Sequence, residues 1–162
     1  MAIRVFNADD HPIHCKGISH LIIQTDGMDW VGSAENGRDA LEKVRAIKPD
    51  VAILDIEMPY MNGIDVAKTL LEEGTHTRFI LLTLFKDKTF LNHALELGVK
   101  GFLLKESTEK EIVECIRFVS EGKAYVNASM TQYIVNHTTA PSSVLSLLSS
   151  HEINILKLIA NQ

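Results

Sequence analysis

The sequence predicts an α/β protein in which a parallel sheet carries helices on both faces. Short apolar runs of β-forming residues alternate five times with segments whose apolar residues recur at helical spacing. The run from Val51 to Leu54 has no polar face, which is typical of a strand buried on both sides. Glycine or proline follows most of the helical segments, as expected where a helix ends.

The five predicted strands are short, and most of them end in a polar residue. In chain order they cover residues 3–6, 30–34, 51–54, 78–83 and 100–105. The second is the weakest, because Gly32 interrupts it. After the third strand, Met58-Pro59 ends regular structure and Asn62-Gly63 forms a turn.

Each predicted helix follows one of these strands and shows one apolar face. Pro12 suits the first turn of the first helix, and either Ser107 or Thr108 caps the last one. The five helices are predicted to end near Gly27, Pro49, Gly74, Gly98 and Gly122.

Length and composition fit one ordinary domain with an appendage. The chain has 162 residues, of which 46% are hydrophobic and 23% are charged. Its formal net charge of -5 gives no overall attraction to nucleic acid or an anionic membrane. The sequence shows no apolar run of roughly 18 residues and no secretory layout at Met1, so we expect a cytoplasmic protein. Cys15 and Cys115 are expected to be separate thiols.

The sequence pattern changes after Gly122. A short helix over 128–137, a linker over 138–143 and a helix start from Leu148 are predicted. We therefore expect a domain over 1–122, a helical or linker segment over 123–147, and the first helix of a truncated domain over 148–162, since one amphipathic helix cannot bury its face alone.

Polar residues at the strand ends form the candidate site. Asp9 and Asp10 follow the first strand, Asp55 the third, and the fourth and fifth strands end in Thr83 and Lys105. Parallel strands bring these ends to one edge of the sheet, where ligands bind in such folds. Three close carboxylates repel one another and favour a bound cation, and hard oxygen ligands suit Mg²⁺. A carboxylate beside Mg²⁺ and a lysine can attack phosphorus, which predicts phosphoryl transfer.

These motifs resemble the receiver domain of two-component response regulators over roughly residues 3–121. The resemblance implies a flavodoxin-like fold with strand order 2-1-3-4-5, and it implies that Asp55 accepts a phosphoryl group from a sensor histidine kinase. Asp10 and Asp55 would ligate Mg²⁺, with Mn²⁺ as an alternative ion. The main-chain carbonyl of Glu57 would be a third ligand, and Asp9 would act through water.

The resemblance also implies a switch and an output. Thr83 and Phe102 would be the switch pair, Thr83 moving toward the phosphoryl group while Phe102 turns inward, and Lys105 would hold the phosphoryl oxygens. Asp9-Asp10-His11-Pro12, the run 101–105 and the tail 148–160 are similar to the LuxR/NarL branch. DNA is then expected as a partner only through a complete C-terminal helix-turn-helix domain. A homodimer is left open, and no membrane partner is expected.

Two positions depart from the family pattern and leave alternatives open. Leu84 stands where a small residue is usual, and Glu106 where many receivers have proline. Leu84 favours a receiver that acts as a binding module without phosphorylation. An aspartyl-nucleophile Mg²⁺-dependent phosphatase fits the spacing of the acids less well, and Asp9 and Asp10 would repel the phosphate of an FMN cofactor. We therefore expect no enzyme beyond self-phosphorylation. His11 and His14 do not form a compact zinc set with the neighbouring His20.

Overall fold

The computed structural model describes residues 2–84 and 88–126, with the backbone alone for 88–92. The predicted helix over 128–137, the linker over 138–143 and the helix start from Leu148 lie outside this part of the chain. Within it, six strands form one parallel sheet in the order β2-β1-β3-β4-β5-β6. Their bounds are β1 Ile3–Ala8, β2 Met28–Ala34, β3 Val51–Asp55, β4 Arg78–Thr83, β5 Gly101–Leu104 and β6 Tyr125–Val126.

The sheet confirms the predicted flavodoxin-like order and adds one strand to it. Tyr125 and Val126 pair in parallel with Gly101 and Phe102 of β5. The N–H of Tyr125 also donates to the carbonyl of Lys100 at 2.8 Å. The expectation of a helical or linker segment over 123–147 is corrected at these two residues, which form a strand. A strand of two residues is too short to show the alternation from which strands are predicted.

Five helices connect the strands, and their starts follow local capping chemistry. They are α1 Pro12–Gln24, α2 Gly37–Ile47, α3 Gly63–Glu72, α4 Lys88–Leu97 and α5 Glu109–Ser120. The side chains of Asn36 and Asn62 cap α2 and α3. Of the two predicted caps for the last helix, Thr108 is the one used, and with Glu111 it forms a capping box.

The sheet separates two apolar cores, and β3 contributes to both. Ala52 and Leu54 pack on the side of α2 and α3. Val51 and Ile53 pack on the side of α1 and α5. Every residue of β3 is buried, because the strand has neighbours on both sides and helices on both faces. Its last residue, Asp55, therefore emerges at the centre of one sheet edge.

Candidate functional site

The carboxyl edge of the sheet brings Asp55 and Lys105 into direct contact, although they are 50 positions apart in the chain. The ammonium Nζ of Lys105 lies 2.6 Å from Oδ2 of Asp55. Both side chains are largely buried, with 12% of Lys105 and 2% of Asp55 exposed. Burial raises the pKa of Asp55 to about 6; the hydrogen bond from Lys105 opposes this effect, and the negative charge of Asp9 adds to it.

Lys105 stays charged in this setting. Burial lowers the pKa of its amine, but the hydrogen bond to Asp55 and the charges of Asp55, Asp9 and Asp10 outweigh burial, so the pKa of Lys105 is raised. The main-chain N–H of Lys105 donates to the carbonyl of Thr83 at 3.0 Å, and this hydrogen bond joins the ends of β4 and β5. The predicted convergence of these strand ends is therefore present in the structure.

Asp9 is held by the first turn of α1. Its Oδ1 accepts the main-chain N–H of His11 at 2.9 Å. Its Oδ2 is bonded to Nδ1 of His14. Burial raises the pKa of Asp9, but the hydrogen bonds from His14 and His11 and the charge of Lys105 outweigh it, so the pKa falls well below its usual range. Both oxygens of this carboxylate thus have partners from the protein.

His11 lies between the acids and the lysine. Its Nδ1 is 3.1 Å from Oδ1 of Asp9, 3.0 Å from Oδ1 of Asp10 and 3.0 Å from Nζ of Lys105. A neutral Nδ1 accepts from Lys105, whereas a protonated Nδ1 donates to a carboxylate, so one nitrogen cannot satisfy all three at once. The ring is 64% exposed and has room to move aside.

The donor atoms of this edge fit a divalent cation. Atoms of Asp9, Asp10, His11 and Asp55 lie within 4.8 Å of one another. Oδ1 of Asp10 and Oδ2 of Asp55 are buried, and neither accepts a hydrogen bond of good geometry, although each lies within ion-pair distance of His11 or Lys105. Two open carboxylate oxygens beside a third acid whose oxygens are already bonded suit direct ligation by Asp10 and Asp55, with Asp9 further out.

The loop after β3 is shaped by close backbone contacts beneath Asp55. The N–H of Glu57 donates to Oδ1 of Asp55 at 3.2 Å, while its side chain is exposed. The N–H of Gly63 donates to the carbonyl of Ile56 at 3.0 Å. A Cβ at Gly63 would come within 2.3 Å of the Asp55 carbonyl oxygen, so only glycine lets α3 begin so near the acid. A ligand role for the Glu57 carbonyl stays a prediction.

The predicted switch residues lie on neighbouring strands. Thr83 ends β4 and is half-buried, next to the exposed Leu84. Phe102 pairs with Leu81 in the ladder, and its side chain is buried in the core on the side of α2 and α3. Phe102 is therefore already inside the protein in this conformation, unlike the outward start from which it was expected to turn inward. The coupling of Thr83 to Phe102 stays a prediction.

Sequence reasoning missed the roles of His11 and His14. It considered the histidines only as a zinc set, and a search for zinc spacing does not find contacts between a histidine and a carboxylate. The signal was the position of both residues at the start of the first helix, directly after Asp9 and Asp10, with His11 at the N-cap and His14 in the first turn. Side chains at the start of a helix that follows a strand end lie over that end.

Fold and site together define the class of protein. Residues 5–117 match the response regulator receiver domain family, so the chain belongs to it. It is a receiver of the NarL/LuxR type, the class of two-component regulators in which phosphoryl acceptance controls an output. No helix in the described part of the chain is long and apolar enough to cross a membrane.

Particular relatives support the branch. The chain is 33% identical over 159 residues to the response regulator GacA of Pseudomonas protegens, covering 97% of this chain and 75% of that protein. It is 32% identical over 168 residues to the oxygen regulatory protein NreC of Staphylococcus epidermidis, covering 98% and 77%. The receiver domain of the response regulator NarL from Mycobacterium tuberculosis superposes with a TM-score of 0.72 at 36% identity, covering 75% and 98%.

Proposed function

We propose that Asp55 is the residue that accepts the phosphoryl group, with the phosphohistidine of a sensor histidine kinase as donor. The observation that carries the proposal is the buried contact between Oδ2 of Asp55 and the ammonium of Lys105 at 2.6 Å. Asp9 is held by hydrogen bonds from α1, and Asp10 has no such lysine contact below 4 Å among the ion pairs of the described residues. Asp55 therefore combines a buried carboxylate oxygen, whose close contact is the Lys105 ammonium, with a cation placed to neutralise phosphoryl oxygens.

The transfer needs no covalent chemistry beyond one displacement. A carboxylate oxygen of Asp55 attacks phosphorus, the new O–P bond forms, and the P–N bond of the phosphohistidine breaks. The electron pair of that bond stays on the imidazole. Lys105 exchanges its contact with Asp55 for contacts with the phosphoryl oxygens, and Thr83 at the end of β4 is proposed to donate to the same oxygens.

Asp10 and Asp55 are the proposed direct ligands of Mg²⁺ or Mn²⁺, with the carbonyl of Glu57 as a third ligand and Asp9 acting through water. The ion, when bound, would supply positive charge for the phosphoryl oxygens. Burial raises the pKa of Asp55 to about 6, so the negative charge of Asp55 is held at a cost that a bound cation would relieve.

The regulatory output is proposed to follow from a shift of the Thr83 and Phe102 pair. In a complete regulator this shift would control a helix-turn-helix domain that binds DNA, with 1–122 as the receiver, 123–147 as the connecting segment and 148–162 as the first helix of that domain. The β6 pairing extends the sheet slightly past this receiver boundary. We further propose a cytoplasmic site of action, where a kinase phosphohistidine is available, and pairing with a second copy as one form of the output.

Mass spectrometry of the intact chain tests the phosphoacceptor. Incubation with acetyl phosphate and Mg²⁺ is expected to add one phosphoryl group to the native chain and none to Asp55→Asn. Asp50→Asn is the matched control, because Asp50 lies at the opposite edge of the sheet, where it accepts the N–H of Arg4. Label that survives Asp55→Asn would refute the assignment.

A second candidate is a receiver that binds its partner without phosphorylation. Leu84 favours it, because this bulky side chain follows Thr83 and is 46% exposed at the edge where a phosphoryl donor would approach. The same labelling experiment separates the two functions. An unlabelled native chain whose site still binds Mg²⁺ would support the binding module.

A further inference from the structure

His14 connects two strand ends through the two nitrogens of one ring. The residue lies in the first turn of α1, and its side chain is 28% exposed. Nδ1 is bonded to Oδ2 of Asp9, which follows β1. Nε2 lies 3.2 Å from the main-chain carbonyl oxygen of Lys105, which follows β5. A single side chain thus spans the space between the acid end and the lysine end of the site.

The partners of the ring determine its protonation in this arrangement. A carboxylate oxygen and a main-chain carbonyl oxygen can only accept hydrogen bonds. Both nitrogens of His14 must therefore carry a proton for both contacts to be hydrogen bonds, which makes the ring an imidazolium. Its charge is paired with Asp9, and the ion pairs of the described residues include none between His14 and Asp55 or Asp10.

The main chain of Lys105 is consequently held from two sides. Its N–H donates to the carbonyl of Thr83 at 3.0 Å, and its carbonyl accepts from His14. With both groups fixed, the side chain starts from a defined point and reaches Asp55 at 2.6 Å. Without His14, the carbonyl of Lys105 would lose its side-chain partner. The turn would keep the hydrogen bonds between Leu104 and Ser107, but the direction in which Lys105 leaves it would be less restrained.

We propose that His14 is a positioning residue that fixes Lys105 and Asp9 for phosphoryl transfer at Asp55. The inference rests on the proposed function, and it goes beyond it by assigning a role to a residue on α1 that touches neither the phosphoryl group nor the metal. It acts through the carbonyl of Lys105 and the carboxylate of Asp9. In metal sites, removing a group that orients a ligand from outside costs about 10- to 100-fold in affinity or activity, and we expect a loss at the lower end of that range here.

Four variants of α1 separate positioning from helix stability. His14→Leu removes both contacts. His14→Gln places an amide nitrogen near Nε2 and keeps the contact to Lys105, whereas His14→Asn places one near Nδ1 and keeps the contact to Asp9. His20→Leu, at an exposed position of the same helix, is the matched control. Urea unfolding of each variant shows whether it folds, and the Gln and Asn variants serve if the Leu variant does not.

The rate of labelling by acetyl phosphate at saturating Mg²⁺ is the first measurement. His14→Leu is expected to slow labelling by about tenfold or more, His14→Gln to recover more of the rate than His14→Asn, and His20→Leu to match the native chain. Equal rates for His14→Leu and His20→Leu would overturn the proposal. Better recovery by His14→Asn would overturn the part that assigns Lys105 as the group being positioned.

Nitrogen NMR of the metal-free chain is the second measurement, and it does not depend on activity. The native spectrum is expected to show protons on both nitrogens of the His14 ring and an ammonium signal of Lys105 protected from exchange. The protected signal should vanish in His14→Leu and persist in His20→Leu. If it persists in His14→Leu, the proposal is overturned even when labelling slows. If the native chain takes no label, the proposed function fails, and this measurement alone decides the role of His14.

Discussion

The two edges of the sheet carry the same kinds of charged residue but use them for different purposes. At the amino edge, cations are placed against main-chain carbonyls that helices leave unpaired. Arg4 donates to the carbonyls of Lys48 and Ile47 at the end of α2, at 2.9 and 3.1 Å. Arg78 donates to the carbonyl of Ser120 at the end of α5, at 2.7 Å. Such contacts satisfy helix ends and stabilise the fold.

At the carboxyl edge, charge is concentrated and incompletely bonded. Asp9, Asp55 and Lys105 are largely buried, and the buried oxygens Oδ1 of Asp10 and Oδ2 of Asp55 accept no hydrogen bond of good geometry. At the amino edge, the arginines that stabilise the fold are hydrogen-bonded to carbonyls of the protein itself. At the carboxyl edge, carboxylate oxygens are left for a cation or a phosphoryl group to bind.

The largest expected difference between the edges concerns Lys100 and Lys105, the two lysines that flank β5. Lys105→Gln should slow labelling of Asp55 by about 100-fold or more, since removal of one preorganised donor costs about that much in comparable sites. Lys100→Gln, which removes the contact of Lys100 to the carbonyl of Gly122, should leave the rate unchanged. A time course by intact mass measures both. A native rate in Lys105→Gln would mean that the carboxyl edge does not use its lysine.

Replacing an acid should change the free energy of unfolding in opposite directions at the two edges. Asp55→Asn is expected to stabilise the metal-free chain near neutral pH by up to about 3 kcal/mol, because the pKa of Asp55 is raised from 3.8 to about 6 and each pKa unit is worth about 1.4 kcal/mol. Loss of the partner of Lys105 reduces this gain. Asp50→Ala should instead destabilise by about 1 kcal/mol, since the main-chain N–H of Arg4 loses the side-chain oxygen that accepts it.

The pH dependence of the free energy of unfolding tests independently whether Asp55 stabilises or destabilises the fold. Between the ordinary pKa and about 6, folded Asp55 holds a proton that the unfolded chain has released, so its contribution to stability falls as the pH rises through this window. The advantage of Asp55→Asn should be full at about pH 8 and absent at about pH 3. Urea unfolding with a chelator measures it, and added Mg²⁺ should shrink it. An advantage that does not change with pH would contradict the burial of a charged Asp55.

A smaller effect is expected from Thr77, which precedes β4 at the amino edge. Its hydroxyl donates to the carbonyl of Pro49 at 2.7 Å, and the residue is buried. Thr77→Val keeps the shape but leaves this carbonyl unpaired, which should cost about 1–2 kcal/mol of unfolding free energy. Labelling of Asp55 in the folded variant should not change. A loss of labelling would show that the two edges are coupled through β4.

The smallest expected effect concerns Leu84. Leu84→Ala should raise the labelling rate by about twofold, because exposed substitutions rarely change a free energy by more than about 0.5 kcal/mol. Ile23→Ala is the control, because Ile23 is an exposed apolar residue on α1. Leu21→Ala would not serve, because Leu21 packs against the core. A rise well above tenfold would identify Leu84 as a barrier to the donor and sharpen the case for a receiver restrained at its entrance.

Most of the fold could be predicted because periodicity and turn residues agree. The apolar run before Asp55 and the polar ends at Thr83 and Lys105 define parallel strands with one chemical edge, and the structure brings Asp9, Asp10, Asp55 and Lys105 together there. The register that sets 2.6 Å between Asp55 and Lys105 could not be predicted, since it depends on how the three strands β3, β4 and β5 pair.

Contacts between side chains of different elements were beyond the sequence. His14 contacts both Asp9 and Lys105 only because the first turn of α1 lies over the end of β1 and the loop after β5 comes close to it. The spacing of residues along the chain does not reveal this contact. The same applies to Trp30, the only tryptophan, whose indole N–H donates to the buried Asn7 at 2.8 Å. The strand β6 was missed because two residues carry no period.

The distance in sequence between Asp55 and Lys105 has a consequence for how the protein is made. Synthesis delivers the three acids within the first 55 residues and the lysine only 50 residues later. A nascent chain that has emerged as far as β4 would have to bury carboxylates that no ammonium yet balances, so the half-sheet is electrostatically frustrated until β5 docks. Arrival of the last large strand then both closes the ladder and neutralises the edge. We expect these charges to disfavour collapse of the partial sheet before β5 is synthesised.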